Sequence, residues 1–529
     1  MIIVGIGGIL GDAATALVKD GKLVAGVEEA KVGRRGQRRR LLAEVPEESL
    51  AWCLTMAGVR TQDVDCVAVV RPISSGNDAA FLLQLRERFP KSRIVLVEHH
   101  RAHAASAFYA SPYETAAVLT LDRAGDIRCS ARWQAEGNRL TLERESFYPD
   151  SIADVYSRAT ELLGFRANAD EHKVQWLSVT GDDRFVDLFL RILPPHNGDW
   201  PRLDRSFIDA GRITHGGFSA KFYNCLGIED GAPVPEPIRP HLAAGIQRAL
   251  EQRAIEMAGS GTNLCLGGGL GLNALLVAAL EQRARFSSVF VQPAAGNAGT
   301  ALGAVFHAWH NTYQRPERIG IGNLCLGPSF DAEQIKQVLE NCKLRFRYLP
   351  TTEELADATV AELNENKIVA WMHGRMEFGP RALGNRSILA SPRDPYSAEN
   401  LNAYIKHRES FRKFAASVPA ELASEYFEVG PNARFLATVG RVREPHAGAF
   451  RSAVLAHDLI RVQTVDRNDN PLYWKLLHTA GRATGLPVLY NTSFNLFGDP
   501  LVCTPRDAVR SFYSSGVDSM LVGNFLLQK

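Results

Sequence analysis

No C-x-x-C pair occurs in this chain, and its eight cysteines (53, 66, 129, 225, 265, 325, 342 and 503) are scattered. That spacing argues against a zinc ribbon or a disulfide framework and fits a reducing cytoplasm. A surplus of one charge is also missing, since the formal net charge is +2. A balanced chain has no general attraction for nucleic acid or acidic membranes, so any basic site must be local. Apolar runs are short, and none approaches the roughly 18 residues needed to span a bilayer. The N-terminal "MIIVGIGGIL" has no basic flank and reads as a buried strand with a Gly turn, not a signal peptide. Low-complexity tracts and internal repeats are absent too, and a soluble protein without membrane association is expected.

What is present is an ordinary globular balance, 46% hydrophobic and 22% charged, over 529 residues. That length predicts about two to four domains. Strand and helix signals alternate from the start, which predicts an α/β fold. "IIVGI" is followed by an apolar pair of runs around Asp20-Gly21, a hairpin signal. "EESLAWCLTMAG" and "AAFLLQLRERF" read as helices, and "VDCVAVVR", "RIVLVEH" and "AAVLTLD" as strands. A Gly- and Pro-rich stretch at 311–330 marks the main boundary, dividing the chain into 1–318 and 319–529.

Several clusters carry chemistry. His99 and His103 lie four residues apart in "EHHRAHAAS" and face one side of a helix, a spacing that suits two imidazoles on one divalent metal; His100 would point elsewhere. Asp122 and Asp126 follow a strand, where carboxylates serve ligands or form ordinary Asx turns. The glycine turns "GGGLGLN" (267–273) and "PAAGNAGTALG" (293–303) match neither a Rossmann nor a Walker pattern. With the N-terminal hairpin they predict a nucleotide held between subdomains. The basic run "KVGRRGQRRR" (31–40) reads as a solvated loop or as a mobile lid over an anionic substrate. In the second half, "MEFGPRALGNRS" displays Arg381 and Arg386 on a Gly/Pro frame with Glu377. Lys406, Arg408, Arg412 and Lys413 follow, then Asn491, Thr492, Ser493 and Asn495. Each piece alone suits a solvated face or polar turn; together they predict an anion-handling pocket.

"GRMEFGPRALGNRSILASPRD", "NAYIKHRESFRKFAAS", "RVQTV", "TGLPVLYNTSFN" and "EHHRAHAASAFY" resemble the O-carbamoyltransferase family, essentially end to end. The resemblance implies an N-terminal actin/sugar-kinase-like domain of duplicated α/β subdomains and a C-terminal YrdC-like α/β domain. It implies use of carbamoyl phosphate and ATP with Mg²⁺, formation of carbamoyl-adenylate in the C-terminal domain, and transfer to a small-molecule acceptor in the N-terminal one. By motif, catalytic roles would fall on Asp12, Lys173, Arg381 and Lys406. Substrate and nucleotide binding would fall on Arg386, Arg412, Asn491 and Ser493, joined by Gly267, Gly268, Gly269, Asn273, Gly296 and Asn297. His99, His103 and Asp122 would hold Fe²⁺ or another divalent metal.

Three departures fall in the N-terminal half. Gly11-Asp12 stands where the family has His-Asp, Arg123 replaces a glycine, and Asn297 replaces an aspartate ligand and would weaken the metal site. "HKVQWLS" also departs from "GKVMGLA". Arg123 raises the prospect of an anionic acceptor, or an amine nucleophile in place of a hydroxyl. Other readings are a non-catalytic nucleotide-binding homologue and a synthase acting on tRNA, the latter disfavoured by the missing basic face. A homodimer is compatible with this size.

Overall fold

Aliphatic and β-branched runs form the strands, and glycines or Asp-Gly pairs turn them. The computed structural model describes residues 1–8, 11–34, 44–71, 79–124, 127–196, 198, 200–496 and 498–529. The first sheet contains β1 (Ile2–Gly7), β2 (Ala14–Lys19), β3 (Lys22–Glu28), β4 (Cys66–Arg71) and β5 (Arg93–Glu98), in the order β3-β2-β1-β4-β5. Asp20 and Gly21, both at positive φ, make the β2–β3 turn as the sequence predicts.

The second sheet repeats this plan. It contains β6 (Thr115–Leu121), β7 (Arg128–Glu136) and β8 (Arg139–Phe147). A two-residue pair, β9 (Pro195–His196) and β10 (Trp200–Pro201), stands apart from it. β11 (Ser260–Gly267) and β12 (Arg285–Val291) complete the sheet in the order β12-β11-β6-β7-β8. In both sheets the first three strands are antiparallel and the last two add in parallel to the first. This is the duplicated α/β arrangement expected of the first half.

A third, mixed sheet has ten strands: β13 (Arg347–Tyr348), β14 (Val369–Met372), β15 (Arg386–Ala390), β16 (Ala415–Pro419), β17 (Phe427–Glu428), β18 (Val439–Val442), β19 (Leu459–Val465), β20 (Leu489–Ser493), β21 (Ser519–Val522) and β22 (Phe525–Gln528). Their order is β13-β22-β21-β14-β15-β20-β16-β19-β18-β17. Ile388, Ala416, Val462 and Tyr490 join the apolar core of this half.

The two halves interlock through polar contacts. Gly26 N–H donates to Leu326 O at 3.1 Å, and Arg375 Nη2 donates to Val24 O at 2.8 Å. Glu281 accepts from Asn432 Nδ2 at 2.7 Å and from Thr438 Oγ1 at 2.6 Å. The basic run, read as a solvated loop or lid, starts otherwise: Lys31 is buried and donates to Glu377 O and Gly379 O. Arg34 donates to Pro500 O and Leu501 O, so this end of the run is docked on the second half. Residues 35–40 of the run, and Asp126, lie outside the described residues. Among those described, no helix is long and apolar enough to cross a membrane.

Candidate functional site

Two polar clusters stand out among the described residues. The first begins where β5 ends. Glu98 caps the helix His99–Ala110, its carboxylate accepting from the N–H groups of His100 and Arg101. The helix therefore starts at His99. His99 and His103 fall on one face. Asp122, just past β6, places Oδ2 at 2.8 Å from His99 Nε2 and 3.5 Å from His103 Nε2. Burial alone would raise the Asp122 carboxyl, but its bonds to His103 and His99 hold it well below the usual range. His100 turns away to Thr120 Oγ1 and Arg128 O.

The ligand atoms of His99, His103 and Asp122 all lie within 4.8 Å of one another, and His103 Nε2 is buried without a well-formed hydrogen bond. Two imidazoles and a carboxylate at that spacing fit a divalent ion. Incubation with Fe²⁺ is expected to load about one equivalent per chain, and Asp122→Asn to lose it, read by plasma mass spectrometry. Equal loading of the variant would remove this site from the account.

The "GGGLGLN" turn wraps this cluster. A Cβ at Gly268, where φ is +89°, would sit 2.2 Å from Leu121 O, and one at Gly267 would sit 2.9 Å from His103 O. Gly269 borders Asp122 Oδ1. Asn273 is a structural cap, accepting from Leu276 N–H and pairing with Gln247. Near β1, Asp12 adopts φ +58°, and the Asn297 amide lies beside Gly11, beyond Gly296. Arg123 does not aim its guanidinium at the histidines. Nε donates to the buried Asp154 at 2.8 Å, and Nη1 donates to Asn168.

The second cluster is cationic. Arg381, from the "GPRALG" turn, crosses the seam and donates to Leu272 O at 3.2 Å. Burial and then Arg412 push its guanidinium down to about 10. Arg408 is pushed down to about 9 by burial and Arg412. Arg461 of β19 is driven well below its ordinary value by burial and then by Arg381, Arg408 and Arg412. It lies 5.2 Å over the Trp176 ring, and its Nε has no hydrogen-bond partner. Arg412 is thus the hub of four arginines. Among the described residues only Glu409 pairs with any of them, at 3.6 Å from Arg412. Lys173 reaches across the seam to Glu409 at 2.8 Å.

Other predicted residues make hydrogen bonds within the fold. Glu377 is fully buried, and its Oε1 accepts from Leu383, Asn385 and Arg386 N–H at 2.8, 2.9 and 3.1 Å. It staples the loop closed. The Arg386 side chain is also fully buried and donates through Nη1 and Nη2 to His373 O, Gly374 O, Asn385 O and Pro328 O, while its Nε has no hydrogen-bond partner among the described residues. In this structure these bonds fasten the loop. Lys406 Nζ spends its protons on Ser493 O, Asn495 O and Asn495 Oδ1. Burial, Arg408 and Arg412 lower it well below the ordinary lysine range. Asn491 bonds Gln463 and Ala382 O within the sheet, while the Ser493 hydroxyl donates to Asn495 Oδ1.

Arg461 escaped the sequence reading as a charged residue in its own right. Its signal was an arginine inside the apolar-rich strand Leu459–Val465, paired to Ala415 on one side and Val439 on the other.

Comparison with known proteins gives the family. The carbamoyltransferase N-terminus model matches residues 75–306, and the carbamoyltransferase C-terminus model matches residues 360–529. The uncharacterized protein sll1178 of Synechocystis sp. is 32% identical over 100% of this chain and 96% of its own length. Nodulation protein NolNO of Sinorhizobium fredii is 31% identical, covering 98% of this chain and 79% of its own. The 3'-hydroxymethylcephem-O-carbamoyltransferase of Streptomyces clavuligerus is 32% identical over 50% of this chain and 48% of its own. Two matching family models and full-length relatives together place the chain in one family: it belongs to the carbamoyltransferases.

Proposed function

We propose that this protein is an ATP-dependent carbamoyltransferase that activates its carbamoyl group as carbamoyl-adenylate before transfer. The observation that carries this reading is the arginine hub. Arg381, Arg408, Arg412 and Arg461 have a single paired carboxylate among the described residues, so the pocket is electrostatically incomplete without an anion. Buried guanidiniums suit phosphate and carbamate oxygens, which take planar, paired donors.

In this reading carbamoyl phosphate is hydrolysed to carbamate and phosphate. A carbamate oxygen then attacks the α-phosphorus of ATP, and pyrophosphate leaves. Arg381, Arg412 and Arg461 offset the charge that builds on the phosphate oxygens. Lys406 holds the strand-end segment 493–495 in place beneath them. The segment 166–173 then joins the two clusters. Asn168 touches Arg123 beside Asp122, while Lys173 reaches Glu409 beside Arg412. Carbamoyl-adenylate formed at the arginines is thereby one short segment from the His99–His103–Asp122 cluster. There an acceptor hydroxyl attacks the carbonyl carbon and AMP departs. A divalent ion held by those three residues would supply Lewis acidity toward an oxygen. We place the working division of the chain at 318/319, with adenylate formation in the second domain and transfer in the first.

The test is exchange of labelled pyrophosphate into ATP, with Mg²⁺ and carbamoyl phosphate present. Exchange that depends on carbamoyl phosphate and falls at least about a hundredfold in Arg381→Ala is expected. Exchange indifferent to Arg381 would reject the assigned pocket.

A further inference from the structure

The arginine hub is built almost wholly from the second half of the chain, and the helix Glu171–Ser178 of the first meets it through the Lys173–Glu409 pair and the Trp176 ring under Arg461. His172, in the first turn of that helix, presents an Nε2 that is buried without a hydrogen-bond partner. The charged groups around it are Arg412, Arg381, Asp170 and Lys173. Lys173 is committed to Glu409 and Asp170, and Asp170 to the Arg166 and Lys173 side of the turn. No partner among the described residues claims the imidazole nitrogen. A buried polar atom left in this state is unfavourable unless something that binds there meets it.

We propose that His172 is a substrate-contacting residue of the anion pocket, its Nε2–H donating a hydrogen bond to an oxygen of the phosphate or carbamate group held by Arg381 and Arg412. This rests on the carbamoyl-adenylate reading for the identity of the substrate, though not for the presence of an anion. The chemistry follows from the neighbours. An oxyanion entering among guanidiniums brings only acceptor oxygens, so a nitrogen facing it must donate. The ring does so in its neutral form, because burial and then Arg412 and Arg381 hold it down to about 3. His172 thus supplies direction without adding a further cation to a pocket already crowded with them.

Two substitutions separate contact from structure. His172→Gln keeps a donor nitrogen near the position of Nε2, and His172→Ala removes it. Calorimetric titration with pyrophosphate as the probe is expected to give a dissociation constant about tenfold weaker for His172→Ala, the worth of one hydrogen bond, and within about threefold of wild type for His172→Gln. The Michaelis constant for carbamoyl phosphate in pyrophosphate release should follow the same order, with melting temperatures of the ligand-free proteins alike. Wild-type affinity in the alanine variant, or equal impairment of both variants, would overturn the assignment of His172 alone. Wild-type protein that binds pyrophosphate but releases none from ATP would overturn the carbamoyl-adenylate reading and leave His172 to be judged on binding. Wild-type protein that binds no pyrophosphate would overturn both.

Discussion

Arg412→Met abolishes carbamoyl-phosphate-dependent pyrophosphate release, by at least about a hundredfold, and at the same time raises the melting temperature of the ligand-free protein. The two effects have one cause. Arg412 is among the cations that depress Lys406, Arg408, Arg381 and Arg461, after burial itself, so its charge opposes all four while the pocket holds no anion. Replacing one member of such a group by an apolar side chain of similar length relieves repulsion and desolvation. Glu409 is not stranded by the change, since Lys173 remains 2.8 Å from it. With pyrophosphate present the order reverses, because the wild type gains binding energy that the variant lacks. Calorimetric scans with and without pyrophosphate read both halves of this prediction. A variant that melts lower and still releases pyrophosphate would show that Arg412 is a structural ion-pair partner of Glu409.

The second large effect is on the loop itself. Glu377→Ala is expected to destabilise the C-terminal half by about 3–5 kcal/mol, the range for breaking a buried, hydrogen-bonded charge. Three backbone N–H groups, of Leu383, Asn385 and Arg386, lose their common acceptor at once. The buried guanidinium of Arg386 also loses a carboxylate that favours its charged form. Glu377→Gln keeps an oxygen for the three donors but not the charge, so its loss should be smaller. Chemical denaturation followed by tryptophan fluorescence measures the series, because Trp371 Nε1 donates to Gly384 O inside the same loop. A loss below about 1 kcal/mol for Glu377→Ala would contradict the staple.

Much of this was legible in the chain. The i,i+4 spacing of His99 and His103 and the strand-end position of Asp122 depend only on local geometry, and the structure brings the three together. Glu377, with its Gly/Pro neighbours, likewise signals a tight internal turn, since the carboxylate and the N–H groups it binds lie within nine residues. The repeated β3-β2-β1-β4-β5 and β8-β7-β6-β11-β12 orders were visible only as alternating strands and helices, because strand order is set by contacts distant in sequence.

What sequence could not assign was how each cation is spent. Lys406, Arg408 and Arg412 look alike in "YIKHRESFRKF". One donates to the 493–495 segment, one bonds Asn402, and one stands at the centre of the hub. That division depends on how the polypeptide from 401 to 412 turns beneath β20. His172 is a similar case: nothing in "DEHKV" says that its ring meets arginines more than two hundred residues away. Arg123 shows the converse. Its position after Asp122 places it beside the histidine cluster in sequence, yet Asp154 draws the guanidinium aside.

The most direct test of the account is mass spectrometry of the purified protein incubated with ATP, Mg²⁺ and carbamoyl phosphate, with no acceptor. The account predicts carbamoyl-adenylate and pyrophosphate from the wild type and neither from Arg412→Met. Folded wild-type protein that leaves ATP intact under these conditions would contradict it.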